Sequence, residues 1–120
     1  MHRILIADDH AAVRTALHSL FDKNGFEVCG EAVNGLDAIE KAQEFHPDLI
    51  VLDLCMPVMD GFEASRQLTK LMPDVPLMML TSHVDKVMEE DARKAGIRRI
   101  LAKGESFQRL MADARELLAD

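Results

Sequence analysis

The amino-acid sequence predicts a doubly wound α/β domain with five parallel strands and five helices. Apolar runs typical of strands alternate five times with helical periodicity along the 120 residues, and the connections are short. The run Leu49–Leu52 is continuously apolar, as expected of a strand that helices cover on both faces. The length fits a single domain, and we therefore expect one domain over residues 1–120 with no output domain.

The strands are predicted from short apolar runs bounded by polar or turn-forming residues. In chain order they lie at Arg3–Ala7, Phe26–Ala32, Leu49–Leu52, Leu77–Leu80 and Ile97–Ala102. Proline or glycine stands shortly before the last three runs, which gives each of them a defined start. Chains of this plan commonly adopt the flavodoxin-like strand order 2-1-3-4-5, and we expect that order here.

The helices are predicted from apolar residues that recur at intervals of three and four. The first covers Ala11–Phe21 and is ended by Asn24-Gly25, while the second follows the Asn34-Gly35 turn and the third begins at Asp60-Gly61. The periodic apolar residues of the fourth helix are Val84, Val87, Met88, Ala92 and Ala95, and those of the fifth are Phe107, Leu110, Met111, Ala114, Leu117 and Leu118.

Composition restricts the classes of partner. The formal net charge of −7 argues against non-specific binding to nucleic acid or to an anionic membrane. No apolar run approaches the roughly 18 residues that a membrane-spanning helix needs. The two cysteines, Cys29 and Cys55, form no CxxC pattern, and with no secretory signal they favour a reduced, cytoplasmic environment.

Polar residues follow the apolar runs of four predicted strands. Asp8 and Asp9 end the first, Asp53 the third, Thr81 the fourth and Lys103 the fifth. Ligands of open α/β sheets bind at the carboxyl ends of the strands, and the expected order places the first strand beside the third. Acids that converge there repel one another unless a cation neutralises them. The pattern therefore predicts a divalent metal site beside a lysine that can bind an anion.

These residue types suit phosphoryl transfer with Mg²⁺. Magnesium prefers oxygen ligands, which the three aspartates and the backbone carbonyl of Cys55 can supply. Asp53 is the candidate acceptor, because a carboxylate can attack a phosphoryl group and form an acyl phosphate. The alternatives are that the acid pair caps a helix, that Asp53 and Lys103 are solvated residues at strand ends, and that Thr81 is present because β-branched residues suit strands. His10 is expected at the rim, either as a surface residue or in phosphate or metal binding.

Together, five stretches strongly resemble the receiver domain of two-component response regulators, and the resemblance covers essentially the whole chain. They are Ile6-Ala7-Asp8-Asp9-His10, Pro47-Asp48-Leu49-Ile50-Val51-Leu52-Asp53, Met56-Pro57-Val58-Met59-Asp60-Gly61, Leu80-Thr81-Ser82 and Leu101-Ala102-Lys103. The Asp-Asp-His sequence and the segment Gly30–Gly35 are most similar to receivers of the LuxR/NarL type, which precede helix-turn-helix DNA-binding domains.

The resemblance implies roles for individual residues. Asp53 would be the phosphoacceptor, and Asp9 would bind Mg²⁺ directly together with Asp53 and the Cys55 carbonyl, while Asp8 would act largely through water. Thr81 and Lys103 would each contact a phosphoryl oxygen. A sensor histidine kinase would be the phosphodonor. The output surface would be the face formed by the fourth helix, fifth strand and fifth helix, through which the chain could also form a homodimer.

Two positions depart from the family pattern. An aromatic residue usually stands three residues before the lysine, where this chain has Ile100, and proline usually follows the lysine, where it has Gly104. We therefore expect altered output switching and a looser turn after Lys103.

Three function classes remain open. The leading hypothesis is a phosphorylatable signalling module that is not a turnover enzyme. An enzyme on the same scaffold is disfavoured. A flavin-binding protein is disfavoured because two carboxylates follow the first strand, and an aspartyl-phosphate hydrolase because Cys55 stands where such an enzyme needs a second acid. The third is a receiver that signals by contact without phosphorylation. The sequence does not identify the kinase, the signal or the lifetime of the phosphate.

Overall fold

The predicted sheet is present, with all five strands parallel. The computed structural model describes residues 1–119. The strands are β1 (Arg3–Ala7), β2 (Glu27–Ala32), β3 (Leu49–Asp53), β4 (Leu77–Thr81) and β5 (Arg99–Ala102). They are arranged in the order β2-β1-β3-β4-β5, which confirms the flavodoxin-like prediction.

A helix follows each strand. The helices are α1 (Ala11–Lys23), α2 (Gly35–Phe45), α3 (Gly61–Leu71), α4 (Lys86–Lys94) and α5 (Phe107–Leu118). Four begin at a residue whose side chain accepts a hydrogen bond from a backbone amide three residues on. These caps are Asn34, Asp60, Asp85 and Ser106. The side-chain acceptors satisfy amides that the first turn of a helix leaves unpaired.

A few predicted boundaries were wrong by small amounts. Phe26 precedes β2, and Ile97 and Arg98 precede β5. Val84 precedes α4, which begins only after the Asp85 cap, and Ala95 follows the end of that helix. Apart from Arg98, the misplaced residues are apolar and lie within two positions of a regular element, so apolar patterning alone assigned them to it. Phe26 shows the reason: its ring meets Phe21 edge to face at 5.5 Å, so it packs in the core from a connecting segment.

The sheet is buried on both faces because alternate residues of its strands point into two separate apolar clusters. Leu5, Ile50 and Leu52 face α2, α3 and α4, whereas Ile4 and Val51 face α1 and α5. This two-sided burial explains the continuously apolar third strand. In the three central strands it leaves mainly the ends accessible, so the polar residues at the carboxyl ends line one edge.

Within residues 1–119, none of the helices combines the length and the apolar character needed to cross a bilayer.

Candidate metal and phosphoryl site

The acid pair after β1 is divided between the interior and the surface. The backbone amide of Asp8 continues the β1–β2 pairing by donating to the Ala32 carbonyl oxygen at 3.0 Å, which holds its side chain at the sheet edge. Asp8 is only 2% exposed, whereas the carboxylate of Asp9 retains 32% exposure. Neither acid caps α1, because His10 occupies the cap position. The helix-cap interpretation of the acid pair is therefore wrong.

Asp53 closes β3 and lies beside these acids because β1 and β3 are neighbours. Ala7 pairs with Leu52, and Asp53 pairs with Leu80 on the other side. Asp53 is 5% exposed, so its carboxylate sits at the floor of the site with limited access to water.

The ammonium group of Lys103 bridges two buried carboxylates. Its Nζ lies 3.1 Å from Asp8 Oδ2 and 3.3 Å from Asp53 Oδ2. The position is set by β5, since the backbone amide of Lys103 donates to the Thr81 carbonyl oxygen at 2.7 Å. The sequence predicted only that the lysine lies beside the metal site, and the structure shows that it contacts both Asp8 and Asp53. One cation thus faces three carboxylates, which leaves the site with excess negative charge.

The site perturbs the titration of its own groups. Burial raises the pKa of Asp53, and the neighbouring charge of Asp8 raises it further, while Lys103 and a hydrogen bond from the Cys55 backbone act in the opposite direction. For Lys103, burial acts to lower the pKa, but the hydrogen bonds and charges of Asp8 and Asp53 outweigh it and raise the pKa. The lysine is therefore cationic at neutral pH, and ionisation of Asp53 is less favourable than that of a free carboxyl group.

A tight loop between β3 and α3 forms one wall of the site. Val58 has a φ of 69°, which is unusual for a β-branched residue, and it lies at the centre of a three-residue turn in which the Met59 amide donates to the Pro57 carbonyl oxygen at 2.7 Å. The Met59 carbonyl oxygen accepts from the Gly35 amide at 3.0 Å.

Gly61 brings this loop back against Asp53. Its amide donates to the Leu54 carbonyl oxygen at 2.8 Å, and a Cβ at this position would collide with the Asp53 carbonyl oxygen. Only glycine permits this approach, and the loop therefore fixes the segment in which Cys55 contributes its backbone to the site.

Thr81 and the two atypical positions lie around the lysine. Thr81 ends β4, is 3% exposed and pairs in register with Ala102. Ile100 pairs with Met79 and packs, partly buried, against the cluster facing α2, α3 and α4. A Cβ at Gly104 would meet no atom within 4 Å in the described part of the chain, so space remains open after Lys103.

The donor set fits a divalent cation. Asp8, Asp9, His10 and Asp53 each offer one ligand atom, and these four atoms lie within 4.8 Å of one another. Carboxylate oxygens at this spacing are the ligands that Mg²⁺ prefers, and a cation there would offset the excess negative charge. The chemistry of the donors thus supports a magnesium site at this edge.

The structure gathers all the residues singled out in the sequence at one edge. Asp8, Asp53 and Lys103 are in direct contact, and Asp9, Thr81 and Cys55 lie at the ends of the adjoining strands. The sequence left His10 undecided, although its imidazole Nδ1 lies 3.2 Å from Asp8 and 3.1 Å from Asp9. Its position directly after the acid pair was the available signal.

Comparisons with known proteins agree with this geometry. The model of the response regulator receiver domain family matches residues 4–115. The chemotaxis protein CheY of Bacillus subtilis is 39% identical over 102 residues, which are 85% of this chain and 85% of CheY. A crystal structure of a LuxR-family two-component response regulator from Aurantimonas sp. SI85-9A1 has a TM-score of 0.94 at 28% identity, covering 99% of this chain and 86% of that one.

A longer relative is also similar. The response regulator protein VraR of Staphylococcus aureus is 40% identical over 113 residues, which are 93% of this chain and 54% of VraR. The chain therefore spans about half the length of this relative.

Proposed function

The chain belongs to the response regulator receiver domain family, and we propose that it accepts a phosphoryl group on Asp53 in a Mg²⁺-dependent reaction and thereby switches a partner-binding surface. The observation that carries the proposal is the bridge of Lys103 between Asp8 and Asp53 at 3.1 and 3.3 Å. A cation held over a buried carboxylate, beside two further acids, contributes part of the charge neutralisation on which phosphoryl transfer depends, and a bound metal ion would supply the rest.

In the proposed reaction, a carboxylate oxygen of Asp53 attacks the phosphorus of a phosphohistidine on a sensor histidine kinase. An O–P bond forms as the P–N bond breaks, and the imidazole leaves with the bonding electrons and takes up a proton. Asp53, Asp9 and the Cys55 carbonyl would hold Mg²⁺, with Asp8 acting largely through water. When bound, the ion neutralises the acids and the phosphoryl oxygens.

Lys103 and Thr81 would receive the phosphoryl group. The ammonium of Lys103 reaches both buried acids, so a small movement of its side chain exchanges a carboxylate partner for a phosphoryl oxygen. The hydroxyl of Thr81, at the end of the adjacent strand, would bind a second oxygen. Because Thr81 and Lys103 end β4 and β5, their movement would alter the face formed by α4, β5 and α5.

That face is the proposed output surface and the proposed surface of a homodimer. Ile100 lacks the aromatic ring usual at its position and packs against the core, so switching would depend on backbone and Thr81 movement. The proposed role is that of a signalling module in the cytoplasm that takes part in its own phosphorylation, and we do not propose a turnover enzyme.

Intact-mass spectrometry tests the proposal. The chain is incubated with Mg²⁺ and acetyl phosphate or phosphoramidate, beside Asp53→Ala and the control Asp74→Ala, which removes an exposed carboxylate from the loop before β4. We expect one added phosphoryl group on the wild type and on the control, none on Asp53→Ala, and none in excess chelator. Labelling of Asp53→Ala, or undiminished labelling without metal, would contradict the proposal. No labelling of the folded wild type by either donor would favour a receiver that signals by contact.

A further inference from the structure

We propose that His10 supplies an imidazole nitrogen to the metal site, so that the site binds Mn²⁺ and Co²⁺ in clear preference to Mg²⁺. This inference rests on the proposed metal site. The proposed magnesium site uses only oxygen ligands and leaves His10 out. Adding its nitrogen as a ligand predicts which class of metal ion the chain selects.

The geometry of the donors carries the proposal. His10 Nδ1 lies 3.2 Å from Asp8 Oδ1 and 3.1 Å from Asp9 Oδ1. Ligands at about 2.1 Å from an octahedral ion are separated by about 3.0 Å when adjacent and about 4.2 Å when opposite. The spacing of the nitrogen from Asp9 Oδ1 is therefore that of adjacent ligands, and Asp8 lies close enough to act through water. The group that includes the atom of Asp53 spans at most 4.8 Å, so its widest pair would close by up to about 0.6 Å around one ion.

The start of α1 accounts for the orientation of His10. The four other described helices begin at a side chain that accepts a hydrogen bond from a backbone amide of its first turn. His10 occupies the equivalent position of α1, yet within residues 1–119 its side chain makes no such hydrogen bond. Its imidazole turns back toward the acids instead, and its own backbone amide donates to Asp8 Oδ1 at 2.8 Å, which holds the residue in that orientation.

The chemistry of the two donor types decides the preference. Carboxylate and water ligands suit Mg²⁺ and Mn²⁺ alike, whereas an imidazole nitrogen favours transition-metal ions and adds little for Mg²⁺. The His10 side chain is 65% exposed, so it can approach an ion without rearrangement of the core. A protonated imidazole that merely pairs with Asp8 and Asp9 would show the same distances but would offer no lone pair to the metal.

Spectroscopy with Mn²⁺ distinguishes these cases directly. Pulsed electron paramagnetic resonance of the Mn²⁺-loaded chain detects modulation from a coordinated ¹⁴N nucleus, and calorimetric titration gives the affinities for Mn²⁺, Co²⁺ and Mg²⁺. The variants are His10→Asn, Asp53→Asn and the control His2→Asn, which alters a histidine just before the opposite end of β1. All measurements use the full chain at a pH where free histidine is neutral.

We expect nitrogen modulation in the wild type and in His2→Asn, and its loss in His10→Asn. The affinity for Mn²⁺ and Co²⁺ should fall about tenfold in His10→Asn, and the affinity for Mg²⁺ less than twofold. Mn²⁺ binding that is weakened by Asp53→Asn but shows no nitrogen modulation would overturn the role of His10 and leave the proposed function intact. Absence of Mn²⁺ and Mg²⁺ binding to the wild type, or binding unaffected by Asp53→Asn, would overturn the proposed metal site itself.

Discussion

Replacing Lys103 by methionine tests how much the bridge between the buried acids contributes to the fold. The substitution removes the charge and keeps an unbranched side chain. At an effective dielectric constant near 20, contacts of 3.1 and 3.3 Å each correspond to about 5 kcal/mol of gross attraction. Most of this is offset by desolvation of the three groups and by repulsion between the acids.

The net effect is smaller but still large for a single substitution. Truncating one partner of a buried, hydrogen-bonded charge pair costs about 2–5 kcal/mol, because the other charge is left unpaired. The Lys103 side chain retains 27% exposure, so water screens part of the interaction. We therefore expect Lys103→Met to lower the free energy of unfolding of the metal-free chain by about 2–3 kcal/mol at pH 7.

The loss should depend on pH in a defined direction. The pKa of Asp53 is already raised in the folded chain, and removing Lys103 withdraws a charge that opposes this increase. An acid whose folded pKa exceeds its unfolded value destabilises the fold in its ionised form. This penalty shrinks as the pH falls through the folded pKa and is gone below the unfolded pKa. The deficit of Lys103→Met should therefore shrink on acidification, and Mg²⁺ at neutral pH should also reduce it.

Urea denaturation from pH 7 to pH 4, with and without Mg²⁺, measures both effects. The matched control is Lys70→Met, which makes the same substitution on the exposed surface of α3 and should change the free energy by less than about 0.5 kcal/mol. A deficit of Lys103→Met that is equally small, or one that stays constant across the pH range, would refute the reasoning.

Three further substitutions test the site and the core. Asp53→Asn should stabilise the metal-free chain at neutral pH, because the folded pKa of the acid is raised, and its advantage should vanish in acid; thermal melts at pH 7 and pH 4 measure this. Gly61→Ala should lower the free energy of unfolding by about 1–3 kcal/mol and slow labelling by acetyl phosphate, because the new Cβ displaces the Asp53 carbonyl. The control is Gly104→Ala, whose Cβ enters open space, and equal effects of the two substitutions would contradict the loop geometry. Phe21→Ala should cost about 3–5 kcal/mol in urea denaturation, and a comparable loss in the exposed Phe107→Ala would be inconsistent with the described core.

Much of the fold could be predicted because it depends on patterns that are local in the chain. Four of the five strands are short apolar runs that a polar residue ends or follows, and the third run is apolar up to Asp53 because helices cover both of its faces. Boundary errors arose at Phe26 and Ile97, where a buried apolar residue packs without belonging to the regular element, and at Val84, which precedes the cap of α4.

The sequence by itself determined which residues lie at the functional edge. The carboxyl ends of neighbouring parallel strands meet at one edge of the sheet, so residues at those ends come together when the strands take the expected order. It also determined the residue types, and hence the chemistry of acids, a hydroxyl and an amine. Tertiary structure alone decided that Asp8 is buried while Asp9 is partly exposed, that Lys103 spans Asp8 and Asp53, and that the His10 imidazole turns onto the acids. Those features depend on side-chain rotamers and on distances between strands far apart in the chain, which packing sets and local sequence does not encode.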